Sequence, residues 1–142
     1  MKNNHNKIKV FLVDDDAVFL KMSEIELLEQ ADFDVETYAT GELCLKNLSR
    51  NPDLIVLDYD LNGIDKNAMN GIQTLDKIKR FNSDINVIMM SSQPEIEVAV
   101  NCMQHRAFDY IVKDKTAYMR LKNVINRIYN YKSIDKELNW YL

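Results

Sequence analysis

The sequence predicts a doubly wound α/β sandwich built on a five-stranded parallel sheet. Three observations carry this. Strand-like apolar runs alternate with helix-spaced segments five times along the chain. The first, third and fourth runs are almost wholly apolar, as expected when helices cover both faces of a parallel sheet. The connections are mostly short, which suits right-handed crossovers between neighbouring strands.

The elements follow in order. "KIKVFLV" places a buried strand over residues 8–13, ending at Asp14, Asp15 and Asp16. Ala17 to Gln30 is helical, with Met22, Ile25 and Leu28 on one side and Leu20 and Leu27 beside them; Asp16 is its N-cap. "DVETYAT" (34–40) alternates as a strand, and "GELCLKNLSR" (41–50) is a short helix closed before Asn51-Pro52. "DLIVLD" (53–58) is the third strand. Residues 59–70 are polar and irregular, a loop. Ile72, Leu75 and Ile78 mark the next helix, and "NVIMMSS" (86–92) the fourth strand. Pro94 suits the first turn of a helix whose apolar positions are Ile96, Ala99, Val100 and Met103. "FDYIVK" (108–113) is the fifth strand, and Leu121, Val124, Ile125 and Ile128 space out the last helix. One domain, residues 1–130, accounts for these units. Residues 131–142 form a C-terminal extension whose "WYL" end is either an exposed partner site or, as preferred here, a tail packed back on the domain.

Composition narrows the function classes. The chain has 142 residues, 46% hydrophobic and 28% charged, with a formal net charge of −4. That length supports a real core. The acidic balance speaks against direct nucleic-acid binding, which needs clustered Lys and Arg. No apolar run has the length of a membrane span, and the first residues lack the apolar centre of a signal peptide. Cys44 and Cys102 lie far apart in helical segments and read as buried free thiols. His5 and His105 read as surface residues. A cytoplasmic protein fits this profile.

Ligands of such folds bind at the carboxyl ends of the strands. Asp14, Asp15 and Asp16 stand at the end of strand one, and Asp58 ends strand three with Asp60 two positions on. Ser91 and Ser92 end strand four, and Lys113 ends strand five. Carboxylates crowded at one edge raise each other's pKa, a penalty that a hard cation removes. Mg²⁺ takes one or two carboxylates, keeps waters and shares its other positions with phosphate oxygens. A remaining carboxylate can attack phosphorus. In-line placement, with Lys113 and Ser91 on the phosphoryl oxygens, supplies the rest of phosphoryl transfer.

On these strand ends the sequence resembles response-regulator receiver domains of two-component systems, of the chemotaxis-regulator kind. "FLVDDD", "LIVLDYDLNG", "VIMMSS" and "DYIVKD" occur in order across residues 8 to about 130. The resemblance implies the flavodoxin-like receiver fold with strand order 2-1-3-4-5 and five flanking helices. It implies that Asp58 is the phosphoryl acceptor, served by a histidine kinase or histidine phosphotransfer protein. Asp15 would bind Mg²⁺, or Mn²⁺ in its place, directly. Asp14 would do so mostly through water, and Asp58 and the backbone carbonyl of Asp60 would complete the protein ligands. Ser91 and Lys113 would engage the phosphoryl group. Ser91 and Tyr110 would form the switch that repositions the face of the fourth helix, fifth strand and fifth helix, biasing a partner or a homodimer. Independent substrate turnover is not expected; self-phosphorylation and slow self-dephosphorylation are.

Four departures from the family pattern stand out. Asp114 follows Lys113 where a cis-proline is usual, so either a trans bond or a strained site is expected. The 59–70 loop is long and lacks the usual proline. Asp60 adds a carboxylate beside the acceptor. Ser91 replaces the commoner threonine. "DYDLNG" is also similar to the DxD nucleophile motif of haloacid-dehalogenase-type phosphatases, although there it lies on the first strand and its acidic metal ligands come later. Asp60 discriminates, because its side chain is essential in such a phosphatase and dispensable in a receiver. A degenerate receiver acting only as a protein-binding module is the remaining alternative. No helix-turn-helix, basic recognition helix or second catalytic domain is readable, so the chain is a stand-alone receiver or a piece of a longer regulator.

Overall fold

The computed structural model describes residues 7–29 and 32–141, with side chains described as far as Tyr129. His5 and the packing of Trp140, Tyr141 and Leu142 therefore lie outside the described residues. The elements alternate as β1 (Ile8–Val13), α1 (Ala17–Leu28), β2 (Phe33–Tyr38), α2 (Gly41–Lys46), β3 (Leu54–Asp58) and α3 (Gly71–Phe81). They continue as β4 (Asn86–Ser91), α4 (Ile96–Gln104), β5 (Asp109–Val112) and α5 (Ala117–Tyr141). The sheet is parallel throughout in the order β2-β1-β3-β4-β5.

Strand periodicity divides the core in two. Phe11, Val13, Ile55, Leu57, Val87 and Met89 face one side and pack with Cys44, Leu75, Ile78 and Cys102 from α2, α3 and α4. Val10, Leu12, Leu54, Val56, Ile88 and Met90 face the other, with Leu27 from α1 and Leu121, Ile125 and Ile128 from α5. Each fully buried side chain of this size contributes about 1.5–3 kcal/mol against exposure. Two covered faces explain why β1, β3 and β4 read as continuous apolar runs. The edge strand β2 is mostly half-buried beyond Phe33, as expected with only one neighbouring strand. Both cysteines are buried free thiols, and burial pushes them up to about 12 for Cys44 and about 11 for Cys102.

Three local expectations change. The predicted 41–50 helix is α2 followed by a separate 3-10 turn, Leu48–Arg50, closed by Asn51 at φ 61°; Asn tolerates that left-handed conformation better than most residues. Pro94 precedes α4 instead of opening it, since Glu95 is the N-cap. The apolar faces chosen for α1 and α4 are rotated. Ser23 and Leu27 point inward from α1 while Met22, Ile25 and Leu28 are about half exposed, and Val98 and Cys102 anchor α4 while Ile96, Val100 and Met103 face out. Both helices carry apolar residues on more than one side, so spacing alone does not select the buried one.

The end of β3 is fixed by backbone packing. Asn70 and Gln73 form a capping box at the start of α3. The next residue, Gly71, sits so near the strand end that a Cβ there would lie 2.5 Å from the carbonyl oxygen of Asp58. Its N–H donates to the Tyr59 carbonyl at 3.1 Å. The first turn of α3 thus braces the backbone on which Asp58 sits.

Candidate functional site at the carboxyl edge of the sheet

The carboxyl ends of β1, β3 and β5 converge on one open cleft of about 540 Å³, lined by Asp14, Asp15, Asp58, Asp60, Ser92 and Lys113 among others. Asp58 is the last residue of β3, and its side chain is 3% exposed. Lys113 reaches in from the end of β5. Its Nζ lies 2.7 Å from Asp14 Oδ2 and 3.2 Å from Asp58 Oδ1, and it sits 4.5 Å from the centroid of the Phe19 ring. Backbone amides complete the arrangement: Asp16 N–H donates to Asp14 and Asp60 N–H donates to Asp58. Asp16 itself caps α1 through the amides of Val18 and Phe19.

Electrostatics at this edge are unbalanced. Burial, with the Asp14 charge next, pushes the Asp58 carboxyl up to about 7, although Lys113 and the Asp60 amide pull the other way. Burial lowers the Lys113 ammonium, but its contacts with Asp14 and Asp58 outweigh that and leave it raised. One ammonium cannot compensate two buried carboxylates and a third beside them. Ligand oxygens of Asp14, Asp15 and Asp58 can all lie within 4.8 Å of one another. This all-oxygen set of hard donors fits a divalent cation of the Mg²⁺ type.

The long 59–70 loop takes part in the site. The Ile64 N–H donates to Asp15 Oδ2 at 3.2 Å, a tie not legible in the residue types, and Ile64 itself is exposed at the rim of the cleft. Ser91 is fully buried and does not line the cleft, where Ser92 does. Its hydroxyl donates to Asp60 Oδ2 at 3.3 Å and accepts the Gln93 N–H at 3.0 Å. The Gln93 side-chain amide donates to Asp60 Oδ1 at 2.8 Å, and the half-buried Tyr110 hydroxyl donates to the Gln93 carbonyl. Gln93 was not among the predicted residues. Its type carries no charge and suggests no chemistry, so only the fold reveals it.

Two further expectations resolve here. Among the described residues every peptide bond is trans, the Lys113–Asp114 bond included. Asp114 has its own work: its N–H donates to the Val112 carbonyl, and its carboxylate accepts from the Thr116 amide and hydroxyl and pairs with Arg120. Proline has no N–H and no carboxylate for either task. His105 is a partly exposed surface residue that has a partner. Its Nδ1 lies 2.8 Å from Asp76, a partner 29 residues away in the chain. A larger cleft of about 640 Å³ lies between the 62–70 loop and α3, but it sets Lys66, Lys77 and Arg80 against Glu42 and Asp76 and gathers no metal-binding set among the described residues.

A profile of the response regulator receiver domain matches residues 10–126. The chain belongs to the response regulator receiver family. That assignment replaces the phosphatase resemblance of "DYDLNG". The chemotaxis protein CheY of Bacillus subtilis (strain 168) is 30% identical over 121 residues, covering 84% of this chain and 96% of that protein. A protein-glutamate methylesterase/protein-glutamine glutaminase of the same organism is 39% identical over 110 residues, which are 75% of this chain and only 29% of that relative. A counterpart from Clostridium acetobutylicum is likewise matched over 32% of its length. The chain thus spans about a third of these longer relatives. Among solved structures, the receiver domain of NtrX from Brucella abortus has a TM-score of 0.73 at 27% identity, covering 83% of this chain and 95% of that one. CheY in the CheX-CheY-BeF3-Mg complex of Borrelia burgdorferi shares the fold, with a TM-score of 0.74 at 22% identity over 90% of this chain and 98% of that one. No helix among the described residues is long and apolar enough to cross a membrane.

Proposed function

We propose that this receiver domain accepts a phosphoryl group on Asp58 in a Mg²⁺-dependent reaction and passes the change to a protein partner. The observation that carries the reading is the meeting of Asp14, Asp15, Asp58 and Lys113 at one edge, on an acceptor that rigid strand and helix backbone hold in place. Asp14, Asp15 and Asp58 would hold the cation through their carboxylates and Asp60 through its backbone carbonyl. The cation supplies charge neutralisation, for the carboxylates and for the oxygens of the transferring group. Ionised Asp58 is the nucleophile: its P–O bond forms as the P–N bond of a donor phosphohistidine breaks. Lys113 is placed to take up the negative charge of the phosphoryl oxygens once they draw it from Asp14. Ser91 becomes a donor to them when it turns from Asp60.

The donor is a histidine kinase or histidine phosphotransfer protein. The output runs through the Ser91–Tyr110 pair to the face of α4, β5 and α5, where Ile96, Val100, Met103 and Phe108 are exposed to receive a partner or a second copy. The protein acts in the cytoplasm as a phosphoprotein of slow self-dephosphorylation, without turnover of an independent substrate, and without direct binding to nucleic acid or membrane.

Intact-mass spectrometry after incubation with acetyl phosphate and Mg²⁺ tests this. One added phosphoryl group is expected on the wild type, and none on Asp58→Asn or after chelation of the metal. Absence of the adduct from wild type, with no phosphate released over time, would leave only a binding module. Steady phosphate turnover that stops in Asp60→Asn would overturn the reading in favour of an enzyme.

A further inference from the structure

The Ser91 hydroxyl carries one proton, and it donates to Asp60 Oδ2 at 3.3 Å. It cannot serve the Asp60 carboxylate and a phosphoryl oxygen on Asp58 at the same time. Asp60 is therefore an internal competitor for the donor that the phosphoryl group needs. Gln93 shares the same carboxylate. A carboxylate only accepts, so the Gln93 side chain must present its NH₂ there, at 2.8 Å against the 3.3 Å of Ser91. Gln93 contacts all parts of the cluster: its side chain holds Asp60, its N–H holds the Ser91 oxygen, and its carbonyl receives the Tyr110 hydroxyl.

We infer that the Asp60 side chain and Gln93 are opposed positioning residues that set how readily Ser91 turns to the phosphoryl site. Asp60 restrains the hydroxyl. Gln93 weakens that restraint by satisfying part of the carboxylate. Tyr110 senses the outcome through the 91–93 backbone. The inference rests on the phosphoacceptor reading, and it assigns Asp60 a role through its carboxylate that is separate from any role of its backbone carbonyl.

Opposite signs make the test specific. Binding of beryllofluoride, a tetrahedral phosphoryl mimic, is measured by ¹⁹F NMR with Mg²⁺ present and folding checked by melting. Asp60→Ala is expected to bind it about five-fold more tightly and Gln93→Ala about three-fold more weakly, the scale of one ordinary hydrogen bond gained or lost. Asp60→Asn removes the charge but keeps an acceptor oxygen, so it gains clearly less than Asp60→Ala. In a Ser91→Ala background both effects disappear. Equal gains in Asp60→Ala and Asp60→Asn would mean that charge alone acts and would overturn the inference, as would weakening in both Asp60→Ala and Gln93→Ala or persistence of the effects without Ser91. A second readout needs no phosphoryl chemistry. In the free protein, Asp60→Ala shifts the amide signals of Ser91, Gln93 and Tyr110. If wild type takes neither the mimic nor a phosphoryl group, the phosphoacceptor reading fails, and these signals alone decide whether Asp60 restrains Ser91: unmoved signals refute it.

Discussion

Two carboxylates in this molecule lie beside basic side chains and respond in opposite ways. Glu36, on the edge strand β2, is met by Arg50 at 2.7 Å, by Lys9 at 3.1 Å and by the Tyr38 hydroxyl at 2.7 Å, and these partners, the Arg50 hydrogen bond foremost, hold it down to about 2. Asp58, at the carboxyl end of β3, has Lys113 at 3.2 Å and an amide, yet rises to about 7. The difference is in what surrounds the contact. Glu36 is a single acid with two cations at a wetted edge. Asp58 is buried beside Asp14 and shares one cation with it. The β2 cluster is complete as it stands, whereas the Asp58 cluster lacks positive charge, which is how a site that fits a divalent cation differs from an ordinary surface ion pair.

The largest expected effect comes from deepening that imbalance. Lys113→Met keeps the stem packed near Phe19 but removes the cation. Without metal at pH 8 it should cost about 3 kcal/mol in denaturant unfolding, at the low end for a broken buried pair because Asp58 can take up a proton. The loss should shrink at pH 5. Equal losses at both pH values would mean that packing, not charge, holds this edge.

Removing the strained acid should do the reverse. The folded pKa of Asp58 lies above its ordinary value of 3.8. Between about 4 and 7 the native state therefore binds more protons than the unfolded state, so metal-free stability falls as pH rises through that window. Asp58→Asn is expected to be more stable than wild type by about 2 kcal/mol at pH 8, with the gap closing towards pH 4. A gap of constant size across this range would contradict the burial argument.

Added Mg²⁺ should relieve the same strain from outside. At about ten times its dissociation constant it should stabilise wild type by roughly 1.4 kcal/mol, and Asp15→Asn or Asp58→Asn by much less. The smallest effect belongs to the balanced cluster. Glu36→Gln should lower Tm by roughly 2 °C at neutral pH, after allowance for solvent screening of a partly exposed pair. Because the Glu36 pKa is lowered, that difference should persist above pH 4.5 and fade as pH drops towards 2, and Mg²⁺ should not alter it.

Much of this site could be read along the chain because a parallel sheet delivers the carboxyl ends of its strands to one edge. Once β1, β3 and β5 were recognised from their apolar runs, the meeting of Asp14, Asp58 and Lys113 followed from topology. What escaped depends on torsion and rotation about local axes. Hydrophobic spacing could not say which sides of α1 and α4 face the sheet, because both helices are apolar on several sides. The Ser91–Asp60 contact depends on one hydroxyl rotor, the His105–Asp76 pair on two helices meeting, and Gln93 on a backbone turn after β4. The Ile64 amide donor is invisible by nature, since every residue but proline has one.

The Gly71 contact has a consequence for change in the chain. Its hydrogen bond to Tyr59 joins the two ends of the 59–70 loop beside the Asp58 backbone. The loop is thus a handle whose closure is settled at its base, and lengthening such a segment adds closure entropy only logarithmically. Residues inserted or removed around 65–68 are therefore expected to leave Asp58 undisturbed, provided the Ile64 amide still reaches Asp15. The outline of the surface around the cleft can then diversify independently of the chemistry beneath it.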